Sequence, residues 1–187
     1  MTAPSASLRA ELMAAIPNLR AFAMSLCGNP TRSDDLVQET LVKAWDKLGS
    51  FHEGTNLKAW LFTILRNIYF SEHRRRRREI EDADGNLSAG LAVHPEQPGH
   101  MDFIDFRVAL HKLPNDQREA LILVGAEGFS YEEAAVISSC AVGTIKSRVN
   151  RARRRLIELL GVEGASDFGP DKSMVSVMDQ GGQFRPR

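Results

Sequence analysis

The sequence predicts an all-α protein made of two small helical domains joined by a flexible linker. Three observations carry that expectation. Through two long stretches, apolar residues recur at steps of three and four, the period of a helix with one buried face. Nowhere does the two-residue alternation of a half-buried strand take over. Between the stretches, residues 79–100 hold acids, Gly85, Gly90, Pro95, Pro98 and Gly99 with little periodicity, the turn chemistry and polarity of a linker. At 187 residues and 43% hydrophobic content, the chain can fill two small cores and is too apolar for global disorder.

Residues 1–7 are small and polar and are expected to fray. The first domain is read over residues 8–78. Its helical pattern starts at Leu8, and Pro17 is expected to break or restart it. Leu19, Phe22, Ala23 and Leu26 then form one apolar face, ended by Gly28-Asn29-Pro30. Ser33 is the expected cap of the next helix, with Asp34 and Asp35 in its first turn. There Val37, Leu41, Ala44, Trp45 and Leu48 share a side, while Asp35, Gln38, Glu39 and Lys43 lie off it. Gly49 to Asn56 reads as a loop. A third helix runs from about Leu57 into the arginines at 74–78, with Leu61, Ile64, Leu65 and Ile68 on one side. Thr63, Arg66, Asn67, Phe70 and Arg74 fall on another. Such a polar, basic stripe beside aromatics suits single-stranded DNA, because cations track phosphates and rings or a pocket take an unstacked base. Taken singly, Trp60, Phe62 and Tyr69 each read better as core. The arginine run reads as a solvated helix end or a phosphate-steering patch.

The second domain is read over residues 101–160. A helix starts at Leu113-Pro114, with Pro at its beginning and Ala120, Leu121 and Val124 as its core face. Ser130 and Glu133 then make a capping box. The short helix it opens carries Ala134, Ala135 and Ile137, and Ser138 to Ala141 give a tight turn. From about Val142, the residues Ile145, Val149, Ala152, Leu156 and Leu159 form one buried stripe. Lys146, Ser147, Asn150, Arg151 and Arg154 point away from it. Lys or Arg can pair with guanine edges and Asn with adenine, so that face suits a major groove. Thr144, in the first turn, is placed to reach a phosphate. A short capped helix, a turn and a basic helix in that order read as a helix-turn-helix. Residues 161–187 are glycine-rich and weakly apolar and are expected to be mostly disordered.

The formal net charge is zero, yet the two basic stretches stand apart from the acids. Cys27 and Cys140 match neither a disulfide framework nor a metal knuckle and are expected to be buried thiols. The five histidines show no HExxH spacing. Neither a secretory signal nor an apolar run of about 18 residues is visible. The expectation is a cytoplasmic protein without metal, cofactor or membrane insertion. No nucleophile–base pair, paired carboxylates or phosphate loop can be assembled, so no catalytic site and no enzyme is expected.

Together the two blocks resemble a family. DDLVQETLVKAW, then the loop Phe51–Thr55, then AWLFTILRN, a linker, LPNDQREALIL and GFSYEEAAVISSCAVGTIKSRVNRARRRL follow the order of the extracytoplasmic-function sigma factors over about residues 17–160. The resemblance implies a sigma region 2 and a sigma region 4, and a protein that carries RNA polymerase to promoters. It implies that Asp35, Gln38 and Glu39, with Lys43 beside them, dock on the coiled coil of the β′ clamp. The loop with Phe51, Gly54, Thr55 and Asn56 would hold a base flipped from the minus-10 element. Asn67, flanked by Arg66 and Arg74, would contact the same element. The helix-turn-helix would read the minus-35 element through Lys146, Ser147, Asn150 and Arg151, supported by Thr144, Arg148, Arg153 and Arg154, and this domain would meet the β flap. PNLRAFAMSLCGN, RNIYFSEHRRRRR and SSCAVGTIKSRV look like the general-stress subgroup of α-proteobacteria, in which a small helical anti-sigma protein blocks the polymerase surfaces.

Two other readings compete. A sigma-like decoy would bind an anti-sigma factor without touching DNA, but has no need of a helix with Lys146, Arg148, Arg151, Arg153, Arg154 and Arg155. A stand-alone helix-turn-helix regulator would leave the first domain unexplained and would normally need a dimer interface.

Overall fold

Pro17 sits inside a helix that does not break. The computed structural model describes residues 6–52, 54–82 and 101–161, and its first helix, α1, runs unbroken through Ala6–Cys27. A proline removes the hydrogen bond to the carbonyl one turn back. Here that carbonyl belongs to Met13, 67% exposed, and Pro17 is exposed too. The lost bond falls on the solvent side, where water can replace it. Gly28, at φ +67°, ends the helix in the left-handed conformation that glycine adopts without a Cβ penalty.

The second helix, α2 (Pro30–Asp46), starts earlier than Ser33. Asn29 is its cap, accepting the Arg32 N–H at 2.9 Å, with Pro30 at the first helical position, where a missing N–H costs nothing. Ser33 is buried and its hydroxyl donates back to the Asn29 carbonyl at 2.8 Å. The buried stripe of α2 is Ser33, Leu36, Val37, Thr40 and Ala44. Trp45, expected on that stripe, lies at its edge and is 47% exposed. A short 3-10 turn at Leu48–Ser50 leads into the loop before α3 (Leu57–Asp82). That helix continues past the arginine run to Asp82, and the remainder of the expected linker, residues 83–100, lies outside the described residues, as do residues 1–5 and 162–187.

The second half holds α4 (Met101–His111), α5 (Asn115–Gly125), α6 (Tyr131–Ser138) and α7 (Val142–Leu160). Pro114 is the cap residue of α5 rather than its first helical residue. The core face of α5 is Ala120 with Leu123, while Leu121 and Val124 are half-buried. The capping box of α6 is complete: the Glu133 N–H donates to Ser130 Oγ and the Ser130 N–H donates to Glu133 Oε2. Ser139, at φ 51°, closes α6 in the left-handed region, which costs an L residue about 1–2 kcal/mol and turns the chain into α7. The α7 stripe of Ile145, Val149, Ala152 and Leu156 is buried, against α5 and against Ala109, Leu110 and Leu113 of the α4 end.

The two halves do not stand apart. One hydrophobic cluster joins Leu19, Phe22, Leu36, Leu61, Phe62 and Leu65 of the first half to Leu123, Phe129, Ile137 and Ile145 of the second. Phe62 is its hinge point, stacked on Phe22 at 4.8 Å and met edge-on by Phe129 at 5.0 Å. Geometries of that kind are favourable for aromatic pairs beyond simple burial. All described elements are helical, as expected, but the halves share a core that was not anticipated.

Candidate polymerase and nucleic-acid interfaces

The outer face of α2 is open. Asp35, Gln38, Val42 and Lys43 are exposed, and Glu39, half-buried, pairs with Lys43 at 2.8 Å. The i, i+4 spacing puts the Glu39 and Lys43 side chains one above the other. Asp35 lies 4.0 Å from the Arg32 guanidinium. The four residues expected to meet the polymerase thus share one surface, with Val42, 60% exposed, as an apolar knob among them that the sequence reading passed over.

The loop before α3 is more occupied than its sequence suggests. Phe51 packs on Trp60 at 5.2 Å. The Thr55 hydroxyl donates to the His52 carbonyl at 2.8 Å. Asn56 caps α3, its Oδ1 accepting the Ala59 N–H at 3.0 Å, and its Nδ2 donates to Glu133 Oε1 at 2.6 Å. Gly54 is exposed, at φ +91°. Along α3, Phe62 is fully buried, while Trp60 and Tyr69 are half-buried, which divides the rings between core and surface. Asn67 and Arg74 stay exposed. Arg66 does not: it lies over the Phe70 ring at 4.8 Å, and its Nε donates to Glu119 Oε1 at 2.5 Å.

That last contact crosses between the halves. Glu119 is 1% exposed. Burial pushes its carboxyl up, and the Arg66 guanidinium and Ser138 hydroxyl pull it back down. Ser138 donates to the same oxygen at 3.0 Å, and the other oxygen, Oε2, has no hydrogen-bond partner. The neighbouring Arg118 reaches the other way. Its Nη2 donates at 2.9 Å to the Leu26 carbonyl at the end of α1, which also accepts the Tyr69 hydroxyl at 3.0 Å. A cation there answers both the orphan carbonyls and the negative end of the helix dipole. Lys58 Nζ donates to the Glu127 carbonyl at 2.9 Å and pairs with its carboxylate at 3.0 Å. Asn18 donates to that carboxylate at 3.0 Å. Arg118, Glu119 and Glu127 were not singled out from sequence, and Leu57-Lys58 stood out only as a departure from the family pattern in the loop region. The available signal is that Glu119 and Glu127 stand four residues either side of the buried Leu123, so two acids continue an apolar face.

On α7 the expected phase holds. Lys146, Arg151 and Arg154 are exposed, and Thr144, Ser147, Asn150 and Arg153 are half-exposed. Lys146 lies 5.7 Å from the Tyr131 ring centre. Arg148 is turned back, pairing with Asp116 at 3.1 Å and donating to Cys140 Sγ at 3.7 Å. Cys27 and Cys140 are free and half-buried rather than fully buried. Among the described residues no helix is long and apolar enough to cross a membrane.

A three-helix unit with an exposed polar face on its second helix and a basic third helix, followed by a helix-turn-helix with an outward basic face, has the arrangement of a sigma factor. Residues 12–79 match Sigma-70 region 2 and residues 104–156 match Sigma-70, region 4. The chain is 61% identical to the ECF RNA polymerase sigma factor EcfG of Rhodopseudomonas palustris, over 94% of this chain and 97% of that one. Its fold is similar to sigma factor RpoE, solved in complex with the anti-sigma factor NepR from Bartonella quintana: TM-score 0.77, 56% identity, covering 86% of this chain and 100% of that one. It is similar also to CnrH, solved with the cytosolic domain of CnrY, at TM-score 0.56 and 27% identity over 84% and 88% of the two chains. The chain belongs to the ECF RNA polymerase sigma factors, which direct polymerase to promoters, and its likeness to the EcfG subgroup bears out the resemblance read from its motifs.

Proposed function

We propose that this sigma factor serves a stress regulon under the control of an anti-sigma protein, acting in the cytoplasm as a binding factor rather than a catalyst. Residues 8–78 serve as region 2, residues 79–100 as the connection and residues 101–160 as region 4. Asp35, Gln38, Glu39 and Lys43 dock on the β′ clamp coiled coil. Phe51, Gly54, Thr55 and Asn56 shape the minus-10 pocket, and Arg66, Asn67 and Arg74 hold the strand beside it. Thr144, Lys146, Ser147, Asn150, Arg151, Arg153 and Arg154 face the minus-35 element, with region 4 against the β flap. Arg148 acts through its anchorage to Asp116. The observation that carries the reading is the division of α7 into a buried stripe and an outward basic face. Control by an anti-sigma protein is supported by the likeness to RpoE, solved in complex with NepR.

The test is run-off transcription from a promoter library with purified core polymerase. The chain is expected to confer start sites that core alone lacks, and an anti-sigma protein of the NepR kind is expected to abolish them. Gln38→Ala with Glu39→Ala is expected to weaken core binding at an unchanged melting temperature. Tight sequence-specific duplex binding without core enzyme would favour a stand-alone regulator instead.

A further inference from the structure

Arg148 departs from its cationic neighbours on α7. Lys146, Arg151 and Arg154 are exposed, and Arg155 pairs with Glu158 of the same helix. Arg148 instead ties α7 to two other elements. Its Nε pairs at 3.1 Å with Asp116 Oδ2 in the first turn of α5, and its Nη1 reaches Cys140 Sγ at 3.7 Å in the turn between α6 and α7. Both anchors are themselves fixed. Asp116 Oδ1 accepts the Gln117 N–H at 3.0 Å, and the helix dipole favours a carboxylate in a first turn. The Cys140 N–H donates to the Ala135 carbonyl at 3.0 Å, just after the left-handed Ser139. The next acid on that side of α5, Glu119, has its Oε1 taken by Arg66 and Ser138. Arg148 thus braces scaffold helix, turn and reading helix together, one helical turn or less from Ser147, Asn150 and Arg151.

We propose that Asp116 is a positioning residue for minus-35 recognition: without meeting DNA, it holds Arg148 back from the phosphates and so fixes the angle at which α7 presents its base-reading side chains. The proposal rests on the reading of α7 as the minus-35 helix. Phosphate contacts add affinity for every sequence and carry no sequence information. A guanidinium released beside Asn150 and Arg151 would find phosphate oxygens in any register, since it binds them as well as it binds a carboxylate. Base edges are less forgiving, because their hydrogen bonds weaken steeply once the donor is misaligned. Restraining one cation therefore lowers binding to wrong sequences and sharpens the contrast with the right one, the repulsive half of specificity. The Arg148 and Asp116 side chains are 22% and 47% exposed, and an ion pair so open adds little to stability. Its effect belongs to DNA discrimination more than to melting.

The experiment assembles the full chain with core polymerase and measures binding to two promoters over a range of salt. One carries the minus-35 sequence preferred in the promoter library, the other a scrambled one, with the minus-10 element unchanged. Asp116→Asn is expected to bind the scrambled promoter more tightly than the parent does. Its salt slope is expected to rise by about one, and its discrimination to fall about tenfold, the size of one mismatched base pair. Asp116→Glu, which keeps the carboxylate, is expected to restore discrimination. Arg148→Gln is expected to lose discrimination without a steeper slope, and adding it to Asp116→Asn should cancel the gain in slope. A merely structural Asp116 would weaken binding to both promoters alike at an unchanged slope, and that result overturns the proposal. So does a steeper slope with discrimination intact. Whether the reading of α7 itself fails is seen separately from Arg151→Ala, which would then leave base preference untouched. Should Asp116→Asn lose its helical circular dichroism, Arg148→Gln decides: discrimination equal to the parent's overturns the brace.

Discussion

Arg118 shows what a single residue does here. It is 5% exposed, and burial pushes its guanidinium below the ordinary arginine range, with Tyr69 opposing. Its partners are the Leu26 and His111 carbonyls, the Asn115 side-chain oxygen and, at 3.3 Å, His111 Nδ1. The last contact makes its setting sensitive to pH. Burial, then Arg118, then Arg107, hold the His111 imidazole below its usual range. Below about pH 6.5 an unfolded histidine takes up a proton that the folded one refuses. The unfolded state then binds more protons, so stability falls as pH drops through that window and levels off once the folded imidazole titrates as well. Glu119, raised, acts in the opposite sense, its contribution declining as pH rises above about 4.3, so the comparison needs a control. Urea midpoints of the parent and His111→Gln, taken near pH 7.5 and near pH 5.5, are expected to diverge at the lower value, the parent losing more. Equal losses would remove His111 as the sensitive group.

At the scale of elements, α7 separates two kinds of contact. Lys146 and Arg151 are exposed on the outward face, whereas Arg153 is half-buried on the flank. Replacing Lys146 or Arg151 with alanine is expected to cost about 1–3 kcal/mol and to relax discrimination at one base pair. Arg153→Ala is expected to weaken binding to all promoters and to lower the salt slope by about one. Competition binding of the holoenzyme to promoters mutated position by position distinguishes these, and a change of base preference in Arg153→Ala alone would show the helix phase to be wrong. That phase was legible in the sequence because everything setting it is local: the Ser130–Glu133 box, the four-residue turn and a stripe of steps four, three, four. The start of α2 misled for a local reason too, since Asn29-Pro30 outcompetes Ser33 as a cap-and-first-residue pair. The Arg66–Glu119 pair was not legible. Its members lie in different halves, and neither helix alone says that a charge on its flank will be desolvated. On α3 the reading of Arg66 as outward-facing was sound for an isolated helix, and packing against α5 and α6 changed it.

For the whole molecule, the boundary between the two family regions is not an energetic boundary. Phe22, Phe62 and Phe129 form a continuous stack from α1 through α3 into the turn before α6. Truncating a buried aromatic of this kind costs about 3–5 kcal/mol, and at Phe62 the loss is felt in both halves. The two halves are expected to unfold in a single calorimetric transition whose measured and van't Hoff enthalpies agree, and Phe62→Ala is expected to shift that transition whole. Two resolved transitions would show that the halves melt independently. The same ring stack also sets a timetable during synthesis. Phe62 leaves the ribosome long before Phe129 has been made, and at about 5–20 residues per second the nascent first half waits several seconds with that ring and the cationic side of α3 uncovered. Only when its own second half arrives is that surface of α3 covered.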